Sequence, residues 1–249
     1  MKLAGKIAIV TGGTGGLGQR ICLALAERGC HIGVVYCQSE DTGQAVVAQL
    51  FQLGVQAAAI KCDVRNPAEI IALIARVQDT WGRIDILIND AALVKWIPFE
   101  DLEALTLETW QDIMTVNLTG PLLFMKAVAP LMKQQGWGRV VNIASIAGLR
   151  PGGSSIAYAV SKAGLIHLTR CMAMSLAPEV LVNCIAPGYL EGTRSTEHTN
   201  PDYPYHALRA AALKRPAEKD DVARQVVTFC ESETTTGQTL VIDAGRFYH

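Results

Sequence analysis

The sequence predicts an α/β fold, a doubly wound three-layer sandwich around a seven-stranded parallel sheet. Three observations predict it. Seven short apolar runs, at 7–10, 32–36, 57–60, 84–88, 140–144, 181–185 and 240–242, are near-continuous rather than alternating, the pattern of strands buried on both faces. Helical patterns separate them; Ile70, Ile71, Leu73, Ile74 and Val77 fall on one face of a 3.6-residue period. No linker, low-complexity tract or fixed-period repeat interrupts the alternation, so residues 1–249 are expected to form one domain. In such sheets ligands bind at the carboxyl ends of the strands, near the point where strand order reverses.

Composition narrows the class. Half of the residues are apolar and 18% are charged, as in a globular enzyme with a sizeable core. A formal net charge of -1 offers no field for nucleic acid or an anionic membrane, and no apolar run approaches the roughly 20 residues of a membrane span. The seven cysteines are scattered and lack CxxC spacing, which argues for reduced thiols in a cytoplasmic protein. Met1 leads directly into a strand, and no signal peptide is visible. The five histidines show no metal-ligand spacing, so no metal site is expected.

Taken in order, the first strand runs into Thr11-Gly12-Gly13-Thr14-Gly15-Gly16-Leu17-Gly18. Five glycines in the seven residues 12–18 mark a turn whose missing side chains admit a pyrophosphate to the backbone. The helix after it offers N-terminal amides and the positive end of its dipole. Gly12, Gly16, Leu17 and Gly18 are therefore candidate residues of a Rossmann-type cofactor site. The tip of the second strand, Tyr36-Cys37-Gln38-Ser39, is placed to read the adenosine ribose, with Tyr36 as a candidate contact. No carboxylate stands there to accept from the 2′-hydroxyl of NAD, which favours NADP(H) and leaves NAD(H) as the alternative; no basic residue stands there either. Asp63, before the third helical pattern, suits an N-cap.

A long helical pattern opens at Thr106 and is expected to kink where Asn117 and Pro121 interrupt it. The fifth strand ends at Ser145, and the helix beyond carries Tyr158 and Lys162 at i and i+4 on one face. A phenol beside an ammonium is a general acid/base pair, because a nearby positive charge favours the phenolate. Ser145 is placed to hold a substrate oxygen beside it. Residues 189–215, with Tyr189, Tyr203, Tyr205, Arg194 and Arg209 but no strong periodicity, read as a substrate lid. Trp96, Leu149 and Tyr189 are candidate walls of an apolar pocket, and Arg194 a candidate partner for an anionic group on the substrate.

Thr11-Gly12-x-x-x-Gly16-x-Gly18, then Ser145, then Tyr158-Ala-Val-Ser161-Lys162 resemble the motifs of the short-chain dehydrogenase/reductase family. The Gly13-x-Gly15-Gly16 turn resembles that of the acetoacetyl-CoA reductases, which use NADPH, although Gly15 stands where many NADP-using members carry a basic residue. The resemblance implies direct hydride transfer between a nicotinamide and a carbonyl carbon, with Asn117, Ser145, Tyr158 and Lys162 catalytic. In that scheme Tyr158 moves the proton, Ser145 binds the substrate oxygen, Lys162 lowers the Tyr158 pKa and binds the nicotinamide ribose, and Asn117 orders a water leading to solvent. It further implies that Asp63 and Val64 contact the adenine, that Asn89 and Ala91 flank the cofactor, and that Pro187 and Gly188 close over the nicotinamide with Thr193. Asp90 and Ala92 depart from the family's Asn-Asn-Ala-Gly, and Thr193 stands one position late. The implied substrates are ketones with a hydrophobic part, a β-ketoacyl thioester or a cyclic or aryl ketone, reduced to secondary alcohols. An NAD-dependent polyol or sugar dehydrogenase and a non-catalytic cofactor-binding regulator are the alternatives. Relatives assemble as homotetramers or homodimers, and the same is expected here.

Overall fold

The structure, a computed structural model, describes residues 3–197 and 202–248. Its first half is β1 (Ile7–Thr11), α1 (Gly16–Ala26), β2 (His31–Tyr36), α2 (Glu40–Gln52), β3 (Ala57–Lys61), α3 (Pro67–Trp81) and β4 (Ile86–Asn89). Then come α4 (Leu107–Met114), α5 (Gly120–Gln134), β5 (Gly138–Ile143), α6 (Ile156–Leu176) and β6 (Val180–Pro187). Last are α7 (Arg194–Glu197), α8 (Asp202–Ala210), α9 (Lys219–Glu231) and β7 (Thr239–Ile242). The strands form one parallel sheet in the order β3-β2-β1-β4-β5-β6-β7. Strand order reverses between β1 and β4, which opens a crevice at their carboxyl ends.

Alternate strand residues feed two cores, one on each face of the sheet. Ala8, Val10, Ile32, Val34, Ile86 and Ile88 pack under α1, α2 and α9, against Ile21, Leu25, Leu50 and Val226. Ile7, Ile9, Val35, Leu87 and Val140 pack under α3, α5 and α6, against Leu73, Phe124, Val128 and Leu176. Burial on both faces is why these runs are continuously apolar. Helix boundaries follow local chemistry. In α3, Asn66 accepts from Ala68 N at 3.0 Å, Pro67 occupies the first turn, and Gly82 closes the helix at φ 73°.

The helix from 107 to 134 differs from the expected kink. A π-turn at Thr115–Thr119 joins α4 to α5 without a break, and Pro121 sits in the first turn of α5. Its 28 residues are long and apolar enough on average to cross a membrane, contrary to the reading of shorter apolar runs. Here Phe124, Met125, Val128 and Met132 are fully buried against the sheet.

At the opposite end of the sheet from the crevice, Asp85 is a wholly buried carboxylate. It accepts from Lys6 Nζ at 3.0 Å, from Ile7 N at 2.9 Å, and from Arg83 Nε and Nη2 at 2.8 and 2.6 Å. The regular part of β4 starts at Ile86 rather than at 84. Asp85 N and O also bond Ile7 O and Arg139 N, so the residue links β1, β4 and β5. Lys6 and Arg83 keep access to water but the buried Ile7 amide would lose its acceptor, so Asp85→Ala should lower unfolding free energy by about 1–3 kcal/mol. A denaturant titration checks this; a midpoint within error of the parent would assign the cluster no structural role.

Candidate functional site

A cleft of about 510 Å³ lies along the carboxyl ends of the strands. Its floor is the glycine turn. Gly12 has φ 67°, and a Cβ there would lie 2.9 Å from the Ala91 backbone. A Cβ on Gly18 would lie 2.2 Å from the Gly12 carbonyl oxygen, and one on Gly16 2.5 Å from that of Gly192. The turn therefore closes on itself only with glycine. No acidic residue stands in the first turn of α1, so its amides and dipole are left for an anion. These features fit the pyrophosphate of a dinucleotide. Thr11 Oγ1 accepts from Asp90 N and Ala91 N at 3.1 and 3.2 Å, tying the end of β1 to the loop after β4.

Most of the sequence-derived cofactor residues line this cleft. Gly12, Gly16, Leu17, Tyr36, Asp63, Val64 and Ala91 do so on the glycine-turn side, and Tyr158, Lys162, Pro187, Gly188 and Thr193 on the other. Gly18 and Asn89 do not. Gly18 packs beneath the turn, against Gly12 and Gly13. The buried Asn89 amide donates to Asn142 Oδ1 at 2.8 Å, and Asn142 donates to Thr169 Oγ1 at 3.0 Å. Asn89 and Asn142 are register partners on β4 and β5, so the pair pins those strand ends together. Asp63 is engaged by Arg65, whose Nη2 lies at 2.6 Å, and that ion pair holds its carboxyl below the usual range.

The reactive groups gather over the ends of β5 and α6. Ser155 caps α6 by accepting from Tyr158 N at 3.2 Å, which sets the turn that carries Tyr158. Ser145 and Tyr158 line the same part of the cleft, and Ser145 Oγ accepts from Ala147 N at 3.1 Å. Lys162 is buried, donates to Ile143 O at 2.8 Å, and has its Nζ 5.7 Å from the Tyr158 ring centre. Burial pushes the Tyr158 phenol up to about 12, with Ser145 pulling the other way. Burial likewise pushes Lys162 down to about 8. Desolvation is thus the first effect on the phenol and favours its acid form. Asn117 does not line the cleft. Its buried amide accepts from Leu93 N at 2.8 Å and donates to Leu93 O and Ser161 Oγ, both at 3.1 Å. It braces the 93 loop against α6.

The residues expected around a substrate are partly elsewhere. Trp96 and Tyr189 both meet Tyr203 of α8 edge-on, with ring centres 5.1 and 5.8 Å apart. Leu149 packs against the cluster of Ala144, Leu165, Ile166 and Cys184. Arg194 reaches the far end of the cleft, where its Nη2 donates to Ser39 Oγ. Within 189–215 the described chain forms α7 and α8, and residues 198–201 lie outside the described residues.

Sequence reasoning noted Asp90 only as a departure. It lines the cleft beside Lys162 with part of its surface exposed, and burial pushes its carboxyl up to about 7 while Lys162 pulls it down. The folded chain thus holds a proton that the unfolded chain, titrating near 3.8, has lost. Stability should fall as pH rises between those values and level off above pH 7. Asp90→Asn removes this loss. Its melting temperature should match the parent at pH 4, gain on it through pH 7, and keep that lead at higher pH. Parallel melting curves at every pH would show that Asp90 is not buried as an ionised group.

The description "short chain dehydrogenase" matches residues 6–204. The chain is 36% identical to a 3-oxoacyl-[acyl-carrier-protein] reductase from Synechocystis over 98% of its length and 97% of the relative's. A short-chain type dehydrogenase/reductase from Mycobacterium marinum superposes with a TM-score of 0.91 at 31% identity, covering 98% of this chain and 96% of that one. The NADPH-dependent 3-quinuclidinone reductase from Rhodotorula rubra superposes at 0.90 with 25% identity, over 98% and 92% of the two chains. The chain belongs to the short-chain dehydrogenase/reductase family and is an oxidoreductase acting on a CH–OH/C=O pair.

Proposed function

We propose that the protein reduces a 3-oxoacyl thioester or a related ketone to the secondary alcohol, with NADP(H) as its cofactor. The observation that carries this reading is the convergence of Tyr158, Ser145 and Lys162 in the same cleft as the glycine cradle. The relatives named for 3-oxoacyl-carrier-protein and quinuclidinone substrates support a ketone as the acceptor.

When bound, the nicotinamide supplies the hydride that reaches the carbonyl carbon. The protein does the rest. The glycine turn and the N-terminus of α1 would hold the pyrophosphate, Asp63 and Val64 would border the adenine, and Pro187, Gly188 and Thr193 would border the nicotinamide. Ser145 Oγ orients the carbonyl oxygen and donates to the charge growing on it. Tyr158 Oη gives its proton to that oxygen; a phenol kept protonated by burial is in the form the reductive direction needs. Lys162 Nζ, fixed on Ile143 O, presents its remaining hydrogens to the ribose. Asn117 acts through the 93 loop and Ser161, as a positioning residue. We assign 189–215 as the substrate lid of a single domain. A homotetramer or homodimer in the cytoplasm is the assembly and place that this reading implies.

Tyr158→Phe removes the donor while keeping the ring. Turnover of an acetoacetyl thioester should fall by about 10²–10⁴-fold, with NADPH affinity unchanged by fluorescence titration. Turnover within a few-fold of the parent would remove Tyr158 from the mechanism.

A further inference from the structure

The 2′-phosphate of NADP(H) is doubly charged, yet the β2 tip, Tyr36-Cys37-Gln38-Ser39, offers it neither lysine nor arginine, and the glycine turn adds none. Among the described residues, Lys61, Arg65, Arg76 and Arg194 stand in the neighbourhood; Arg76, on α3, acts on the Tyr36 phenol and does not line the cleft. Arg65 is held by both carboxylate oxygens of Asp63. Lys61 ends β3 and does not line the cleft. Arg194 lines the cleft, is exposed, and has no carboxylate partner among the described residues.

Arg194 reaches the tip from the other side of the site. After Gly188 the chain returns over the glycine turn so closely that a Cβ on Gly16 would lie 2.5 Å from Gly192 O. Arg194 opens α7 just beyond that contact, and its guanidinium donates to Ser39 Oγ, 155 positions away in sequence. One short segment therefore runs from the nicotinamide end of the cleft to the adenosine end. The guanidinium engages Ser39 through one nitrogen, and its other donors suit a phosphate in the two-pronged geometry that arginine favours. The serine hydroxyl, accepting from Arg194, keeps its own hydrogen to donate.

We propose that Arg194, partnered by Ser39, reads the 2′-phosphate, so that the covering segment rather than the β2 tip chooses NADP(H) over NAD(H). This rests on the dinucleotide-dependent reading above and adds to it the residue that sets cofactor choice. It also moves Arg194 from the substrate role suggested by sequence to the cofactor's far end.

The test is binding, read without turnover. NADPH and NADH are titrated by fluorescence into the full chain, its Arg194→Ala and Arg194→Lys variants, and Ser39→Ala. Arg194→Ala should raise the Kd for NADPH about tenfold or more, the worth of a charge-assisted bond, with NADH changed by less than about twofold. Arg194→Lys should fall between. The parent should prefer 2′,5′-ADP to 5′-ADP, and Arg194→Ala should lose that preference. Equal losses for both dinucleotides would make Arg194 a general clamp and overturn the assignment; so would an unchanged NADPH affinity. A parent that binds neither dinucleotide would overturn the underlying reading as well, whereas a parent that binds both and a variant that still prefers NADPH would overturn only the role of Arg194.

Discussion

Three stretches of backbone meet at the carboxyl end of β1 with no space for a methyl group between them. The turn at Gly12 lies on the Ala91 backbone, Gly18 lies under the Gly12 carbonyl, and Gly192 lies on Gly16. These contacts join segments that are remote in sequence, and everything reactive is positioned from them. Thr11 carries the contact into the loop after β4, and the Asn89–Asn142–Thr169 chain carries it across β5 to α6, where Tyr158 and Lys162 stand. A substitution at this junction would displace cofactor cradle and acid together, because they share one backbone frame.

Electrostatics within the cleft follow from the same closeness. Lys162 is buried and Asp90 and Tyr158 are partly buried, and for each the first effect is loss of water. Burial alone would make all three neutral. Asp90 and Lys162 oppose that tendency in one another, so the charge state of either depends on the other. Most members of the family have an amide at position 90, by the pattern noted above. The acid makes this site more responsive to pH than an amide would.

The sheet and its order of elements were legible because the five inner strands are buried on both faces and each helix on one, and those conditions print directly onto apolar periodicity. Gly12, Tyr158, Lys162 and Ser145 were legible because close approach and paired charge need particular residue types at particular spacings. What escaped was decided by partners far along the chain. The continuous passage through Asn117 depends on Leu93 and Ser161, 24 and 44 positions away, which satisfy its amide and permit the π-turn. Asn89 was singled out by its match to a family motif, and the β4–β5 register adds that its amide pairs with Asn142. A buried carboxylate such as Asp85 has the same letter in the sequence as a solvated one. Arg194 was visible as a cation, but its address across the cleft was not.

The lean of Gly192 on Gly16 is made by a carbonyl oxygen, not by a side chain. The covering segment is thus registered on the cradle by main-chain shape, while Glu191 and Arg194 on either side of it remain exposed. The exposed Glu191 side chain can be exchanged without disturbing that main-chain contact. For anyone recasting the enzyme, exposed Glu191 is a position to vary, whereas Gly16 and Gly192, which meet there, are the fitting to leave alone.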